Sequence, residues 1–164
     1  MEIAVTYSFL HKFVFYSLAL LFFITIFVAI SKFLSLVQAQ GYIYKLLSDV
    51  KNNFISPEAA YYELEDYLYS RLWILALCTT LGPLFGLLGT IFGIMISFHT
   101  MAQQGTSNIS EVSKGIGDAL IATAAGIGVS IISLLFYYLL KAKADKIKNR
   151  FKKELADIER RRKV

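Results

Sequence analysis

Gly82-Pro-Leu-Phe-Gly-Leu-Leu-Gly-Thr-Ile-Phe-Gly-Ile-Met-Ile-Ser97 is the stretch whose reading decides the fold. It lies in an apolar run that contains no Lys, Arg, Asp or Glu from Leu72 to Ser110. Small residues recur at Gly82, Gly86, Gly89, Gly93 and Ser97, at steps of four, three, four and four. On a helix these positions form one stripe. Glycine is a poor helix former, so a stripe of it needs a reason beyond propensity. In a helix surrounded by lipid that reason is close backbone approach to a neighbouring helix. Thr90 lies beside the stripe, a single hydroxyl deep in an apolar stretch, and points to a lined path.

Composition agrees with this reading. The chain has 164 residues, 56% of them hydrophobic, and a mean hydropathy of +0.55. That is too apolar for an ordinary soluble domain and indicates the membrane class. The single cysteine, Cys78, excludes an internal disulfide and a cysteine-based metal site. No cofactor or metal is expected. The net charge of +5 does not indicate nucleic acid, because 11 of the 17 Lys and Arg residues fall in the last 24 residues. A basic tail next to a membrane span faces the cytoplasm and anionic lipid.

The expected organisation is an all-α integral membrane protein with three transmembrane helices. Residues 1–12 form an outward-facing N-terminal stub and 13–31 the first span. These 19 uncharged residues, between Lys12 and Lys32, cover about 28 Å at ~1.5 Å per residue, enough for one crossing. Val37-Gln38-Ala39 loosely resembles a signal cleavage site, but the apolar run is too long for a signal core and Lys32 separates the two. Residues 32–71 form a cytoplasmic segment and the start of a long second helix. The second span is 72–98, the outward loop 99–118, the third span 119–140 and the basic cytoplasmic tail 141–164. Lys32, Lys45, Lys51, Arg71 and the 11 basic residues of the tail lie on one side; Lys12 and Lys114 lie on the other. The positive-inside rule therefore places the N-terminus in the periplasm and the C-terminus in the cytoplasm.

The first span is Phe, Leu, Ile and Val nearly all round, which suits a lipid-facing outer anchor. Its hydroxyls, Ser17, Thr25 and Ser31, are read as bonded back to their own helix. Gly41 is read as a helix break. Ser56-Pro-Glu58 is a helix start: Ser56 caps, Pro57 fits the first turn and Glu58 suits the positive end. From Pro57 the pattern runs without a stop into the second span, where Pro83 removes one backbone donor. Glu58, Glu63, Glu65 and Asp66 make the aqueous part of this helix acidic. It is either a solvated face or a partner for the basic tail. In the loop, Asn108 or Ser110 is expected to cap the next helix, and His99 is read as structural. The tail keeps helical spacing at Ile147, Phe151, Leu155 and Ile158, so the third helix is expected to continue into the cytoplasm.

The third span repeats the logic of the second. Ala119, Ala122, Gly126, Ser130 and Ser133 form a small stripe, with Thr123 beside it. Thr90 and Ser97 are seven apart, as are Thr123 and Ser130, so each pair shares a helix face. These four residues are the candidates for a pore lining and proton pathway. The glycines Gly82, Gly86, Gly89, Gly93 and Gly126 are the candidates for helix packing. Packing alone, with each hydroxyl satisfied by its own backbone, explains the same spacing.

The stretch 82–98 resembles the second-span motif of the MotA/TolQ/ExbB proton-channel family. Gly115-Ile-Gly-Asp-Ala-Leu-Ile-Ala-Thr-Ala-Ala-Gly126 resembles the motif that opens its third span. Order, spacing and topology agree over about residues 72–140, and the ExbB and TolQ branches fit best. The resemblance implies an inner-membrane homo-pentamer whose second and third spans surround a central pore. A single-span ExbD- or TolR-like protein would sit in the pore and supply a titrating aspartate. The complex would energise a TonB- or TolA-like protein acting on the outer membrane, for work such as nutrient import. By motif position, Thr90 and Thr123 correspond to the family's pore-facing threonines. Asp118 stands where a glutamate is usual in ExbB, at the head of the third span, and is the candidate for an ion pair there.

The chain itself carries no acid at the centre of a span, where a charge is costly. Threonine hydroxyls hold water or bond a carboxyl but do not titrate at neutral pH. A relay therefore needs a partner's carboxylate. The second reading is a passive membrane scaffold of packed helices without ion conduction. An enzyme is not expected, since no span carries a nucleophile and base at helical spacing and Cys78 has no nearby His or acid.

Overall fold

The computed structural model describes residues 2–104 and 109–162. Their regular structure is helical throughout: α1 (Glu2–Lys51), α2 (Pro57–Tyr69), α3 (Leu72–Gln104) and α4 (Ile109–Arg162). Three helical stretches, Lys12–Lys51, Pro57–Gln103 and Val112–Arg161, are long and apolar enough to cross a membrane. Asn108, expected as a cap, lies outside the described residues; Ser110 lies within the first turn of α4.

α1 runs 50 residues without interruption, through Gly41, so the break expected there does not form. One glycine lowers helix propensity by about 1 kcal/mol, too little to end a helix packed on both sides of it. The helix ends instead at Asn52-Asn53. Asn53 adopts a left-handed φ of 61°. Its N–H donates to the Val50 carbonyl at 3.1 Å, and the Phe54 N–H donates to the Asp49 carbonyl at 2.9 Å. This paired closure satisfies carbonyls that the last turn leaves open, and asparagine tolerates the left-handed position better than most residues.

α2 starts as expected. Ser56 is extended, and its hydroxyl accepts from the Ala59 N–H at 3.1 Å, with Pro57 in the first turn. Ala60, Leu64 and Leu68 are buried, one stripe at steps of four. The expected continuous run from Pro57 into the second span is interrupted, however. α2 closes with the Ser70 N–H on the Asp66 carbonyl at 2.8 Å, and Arg71 has a φ of 65°. α3 begins at the next residue, Leu72, and continues unbroken through Pro83.

The described chain divides into two compact units. The first comprises Met1–Ile26 with Ala76–Leu134, and the second Phe27–Leu75 with Leu135–Val164. In the first unit Val14, Leu18 and Leu21 of α1 are buried together with Cys78, Ala119, Ala122 and Val129. The other side of α1 exposes Phe13, Tyr16, Leu20 and Phe23. In the second unit the core includes Leu36, Leu46, Leu64, Leu68, Leu75, Leu140, Ala144, Phe151 and Leu155. Phe151 and Leu155 of the predicted tail stripe are thus buried, and α4 is one helix of 54 residues, in agreement with the expected continuation.

Candidate functional site

The site lies within the first unit, where α3 and α4 meet backbone to backbone. A Cβ placed on Gly82 would lie 2.6 Å from the Gly126 carbonyl oxygen, and one on Gly126 would collide with the Gly82 carbonyl. A Cβ on Gly86 would come within 3.0 Å of the Thr123 Cα. Further along, Cβ atoms on Gly89 and Gly93 would lie 2.6 Å from the Cβ atoms of Ala122 and Ala119. The stripe on α3 therefore meets the stripe on α4 residue by residue. Only residues without side chains permit this separation.

The threonines sit in this seam. The Thr123 hydroxyl donates to the Gly86 carbonyl on α3 at 3.0 Å, and its oxygen lies 3.2 Å from the Thr90 hydroxyl oxygen. Thr90 has a second acceptor, the Leu87 carbonyl of its own helix, at 2.7 Å. The proton of Thr123 is therefore committed across the helix pair. That of Thr90 can turn between Leu87 and Thr123. Both side chains are half-buried. This short chain of hydroxyls can order water or a carboxyl group, and a hydroxyl with two acceptors can reorient without breaking the fold.

The two serines are placed differently. Ser97 is buried, and its hydroxyl donates to the Gly93 carbonyl one turn back at 2.9 Å. A Cβ on Gly115 would run into that hydroxyl. Ser130 donates to the Thr79 carbonyl of α3 at 2.7 Å. Thr79 is four residues before Pro83, so its carbonyl is the one that the missing proline N–H cannot serve. Ser130 supplies that bond from the neighbouring helix, which is how α3 passes through Pro83 without breaking. Ser130→Ala is expected to lower stability by about 1–2 kcal/mol, since it removes a part-buried bond between two helices. Ser97→Ala should cost less, because only a local bond within α3 is lost. Thermal melting of both purified variants in one mild detergent compares the two directly.

A further hydroxyl pair was not foreseen. Thr25 is fully buried and bonds the Ser133 hydroxyl at 2.8 Å, while Ser133 donates to the Val129 carbonyl at 2.8 Å. Thr25 therefore ties α1 to α4 and does not bond back to its own helix, whereas Ser17 does so as expected, to Phe13 at 2.9 Å. Nothing in the local sequence distinguishes Thr25 from Ser17. The difference is which side of α1 each one occupies. Asp118, at the head of the third span, is half-buried and has no ion-pair partner among the described residues.

Within the second unit the acidic face of α2 is bound to helices on both sides. Towards α4, Lys148 pairs with Glu65 at 3.3 Å, and the Tyr69 hydroxyl bonds Asp145. Contact with Tyr69 and the bond to Glu65 hold the Lys148 ammonium above the usual lysine range. Towards α1, the Tyr42 hydroxyl donates to Glu63 at 2.6 Å, and the rings of Tyr42 and Tyr67 stack at 4.5 Å. That bond to Glu63, helped by burial, pushes the Tyr42 phenol up to about 12. Among the described residues, partnership of acidic α2 with the basic tail is realised by one ion pair, and Arg150 spends its charge locally on Glu154 at 3.1 Å.

The family model described as the MotA/TolQ/ExbB proton channel family matches residues 49–153. A biopolymer transport protein ExbB from Aquifex aeolicus is 40% identical over 81 residues, covering 49% of this chain and 55% of that protein. One from Helicobacter pylori is 36% identical over 85 residues, covering 52% and 59%. A Tol-Pal system protein TolQ from Pseudomonas aeruginosa is 34% identical over 87 residues, covering 53% and 38%. The matched part thus spans between about a third and three fifths of these relatives' length.

Proposed function

This chain belongs to the MotA/TolQ/ExbB proton channel family, and on that premise we propose that it is the channel and stator subunit of a proton-driven energy transducer in the bacterial inner membrane. Five copies surround a central pore, with the second and third spans inside and the first outside. Residues 32–71 and the tail from 141 extend into the cytoplasm, and the N-terminus and the 99–118 loop face the periplasm. The pore holds a single-span ExbD- or TolR-like partner, and the complex drives a TonB- or TolA-like protein.

The observation that carries this reading is the Thr90–Thr123 hydroxyl pair, placed at the glycine seam beside the Gly86 carbonyl. It offers polar contacts between two largely apolar spans, yet supplies no group that titrates. One proton crossing 100 mV releases about 2.3 kcal/mol. Coupling that release to motion needs a carboxylate that binds and sheds the proton, and the partner provides it. The hydroxyls then hold its carboxyl or the water that serves it. Asp118 forms its ion pair across a subunit boundary, at the outward end of the third span. The basic residues that open the tail, Lys141 and Lys143, lie nearest the anionic lipid.

A specific observation favours the scaffold reading as the alternative: Ser97 and Ser130 both spend their hydroxyls on backbone carbonyls. The two readings part in one experiment. Native mass spectrometry of the purified chain, alone and co-expressed with a single-span partner bearing an intramembrane Asp, is expected to give a pentamer that takes up fewer partner copies than its own. Proton uptake into vesicles should then require that partner. A monomer or dimer that ignores the partner in several mild detergents would remove the pore and leave the scaffold.

A further inference from the structure

We propose that Lys32 is the latch of a joint between α2 and α3, its buried ammonium capping the last turn of α2 where the two would otherwise run on as one helix. Lys32 is 2% exposed, and it is the one charged side chain that is buried among the described residues. A buried cation is unfavourable unless polar groups surround it. Here they come from the last turn of α2: the Tyr67 carbonyl at 2.6 Å and the Ser70 hydroxyl at 3.1 Å. The Tyr67 ring lies 5.6 Å away. Among the described residues no carboxylate forms an ion pair with it. The partial negative charge at the C-terminal end of α2 and the charge of nearby Asp66 compensate it, against repulsion from Arg71.

Which carbonyl Lys32 occupies is the decisive point. In an uninterrupted helix the Tyr67 carbonyl would accept from the N–H four residues on, that of Arg71. With Lys32 in that place, Arg71 turns to a left-handed φ of 65°, a conformation that residues other than glycine rarely adopt without outside support. The local support is the Ser70 hydroxyl, which donates to the same Tyr67 carbonyl at 3.1 Å. Tyr69-Ser-Arg-Leu72 contains neither Gly nor Pro, and Lys32 adds to the Ser70 cap a hold from another helix. The contact is reciprocated, since the Tyr67 hydroxyl donates to the Ser35 carbonyl of α1 at 3.2 Å. Stacking of Tyr42 on Tyr67 adds a third hold by α1 on the end of α2. A lysine from α1 thus determines where the segment after Pro57 stops being one helix and starts being two.

Hydrogen exchange on the full chain in mild detergent tests this, because the latch predicts a direction that loss of packing does not. In Lys32→Met the Tyr67 carbonyl keeps the Ser70 hydroxyl and gains the Arg71 N–H in the place of the ammonium, so exchange at the amides of Arg71 and Leu72 should slow, by about tenfold or more. Lys32→Arg keeps a cation with several donors and should exchange like the parent. Unchanged or faster exchange at Arg71 and Leu72 in Lys32→Met, with residues 60–68 still protected, would overturn the proposal. Should Lys32→Met not fold, Lys32→Gln removes the charge with a smaller change of polarity, and the same two outcomes decide.

Discussion

Gly126→Ala is expected to remove most of the folded, extractable chain, while Gly128→Ala, two residues away on the same helix, should leave it intact or slightly more stable. A methyl group on Gly126 would collide with the Gly82 carbonyl oxygen and lie 2.9 Å from the Gly86 Cα and 3.1 Å from the Gly86 nitrogen. All three are backbone atoms of α3, so no side chain can swing aside. Relief requires prying α3 from α4, which also lengthens the Thr123–Gly86 and Ser130–Thr79 bonds. Overpacking costs about 1–3 kcal/mol where some relaxation is available. Backbone against backbone belongs at or above the upper end of that range. At Gly128 an added Cβ meets nothing within 4 Å, so only the helix-propensity gain of up to about 1 kcal/mol remains. Melting of the two variants by size-exclusion after heating is the measurement. Equal melting points would refute the glycine seam as the contact that holds α3 to α4.

The largest functional effect is expected from Thr123→Val. Valine matches threonine in shape and removes only the hydroxyl. The loss of one bond to Gly86, with the bond shared with Thr90, should cost about 1 kcal/mol of stability, so the proposed pentamer and its uptake of the proposed partner should persist. Partner-dependent proton uptake in vesicles should nevertheless fall by about tenfold or more, the equivalent of ~1.4 kcal/mol in the barrier. Thr90→Val should do less. Its hydroxyl already bonds Leu87 at 2.7 Å, and Thr123 keeps its own bond to Gly86 without it. Full uptake in Thr123→Val with partner present would take the threonine pair out of the proton path, and the seam would then be packing alone.

The serines show why a shared face does not mean a shared role. Ser97 and Ser130 each fall seven residues beyond a threonine, and spacing alone groups them with Thr90 and Thr123. In the folded chain Ser130 instead serves the carbonyl that Pro83 leaves without its helical donor. Proline marks in the sequence which carbonyl is affected, but the residue that answers is 51 positions away from Thr79 and belongs to another helix. Thr25 and Ser133 illustrate the same limit, since a hydroxyl bonds within its own helix or across to another according to what packs against it.

The sequence by itself determined the all-helical class, the three apolar stretches able to cross a membrane and the family. Each of these rests on local quantities: runs of apolar residues longer than a bilayer requires, small residues at helical steps, and a cap with its proline at Ser56 and Pro57. It determined the extension of α4 as well, because Phe151 and Leu155 continue an apolar stripe beyond the last apolar run. Tertiary structure alone decided which glycine meets which carbonyl, how α3 survives Pro83, and why one helix becomes α2 and α3 at Ser70–Arg71. The physical reason is common to all three. A backbone donor or acceptor withheld from water must find a partner, and when its own helix does not provide one, the partner is whichever side chain the packing of another helix brings to that place. Lys32, which local reading takes as a flanking charge of the first span, fills that role for the last turn of α2.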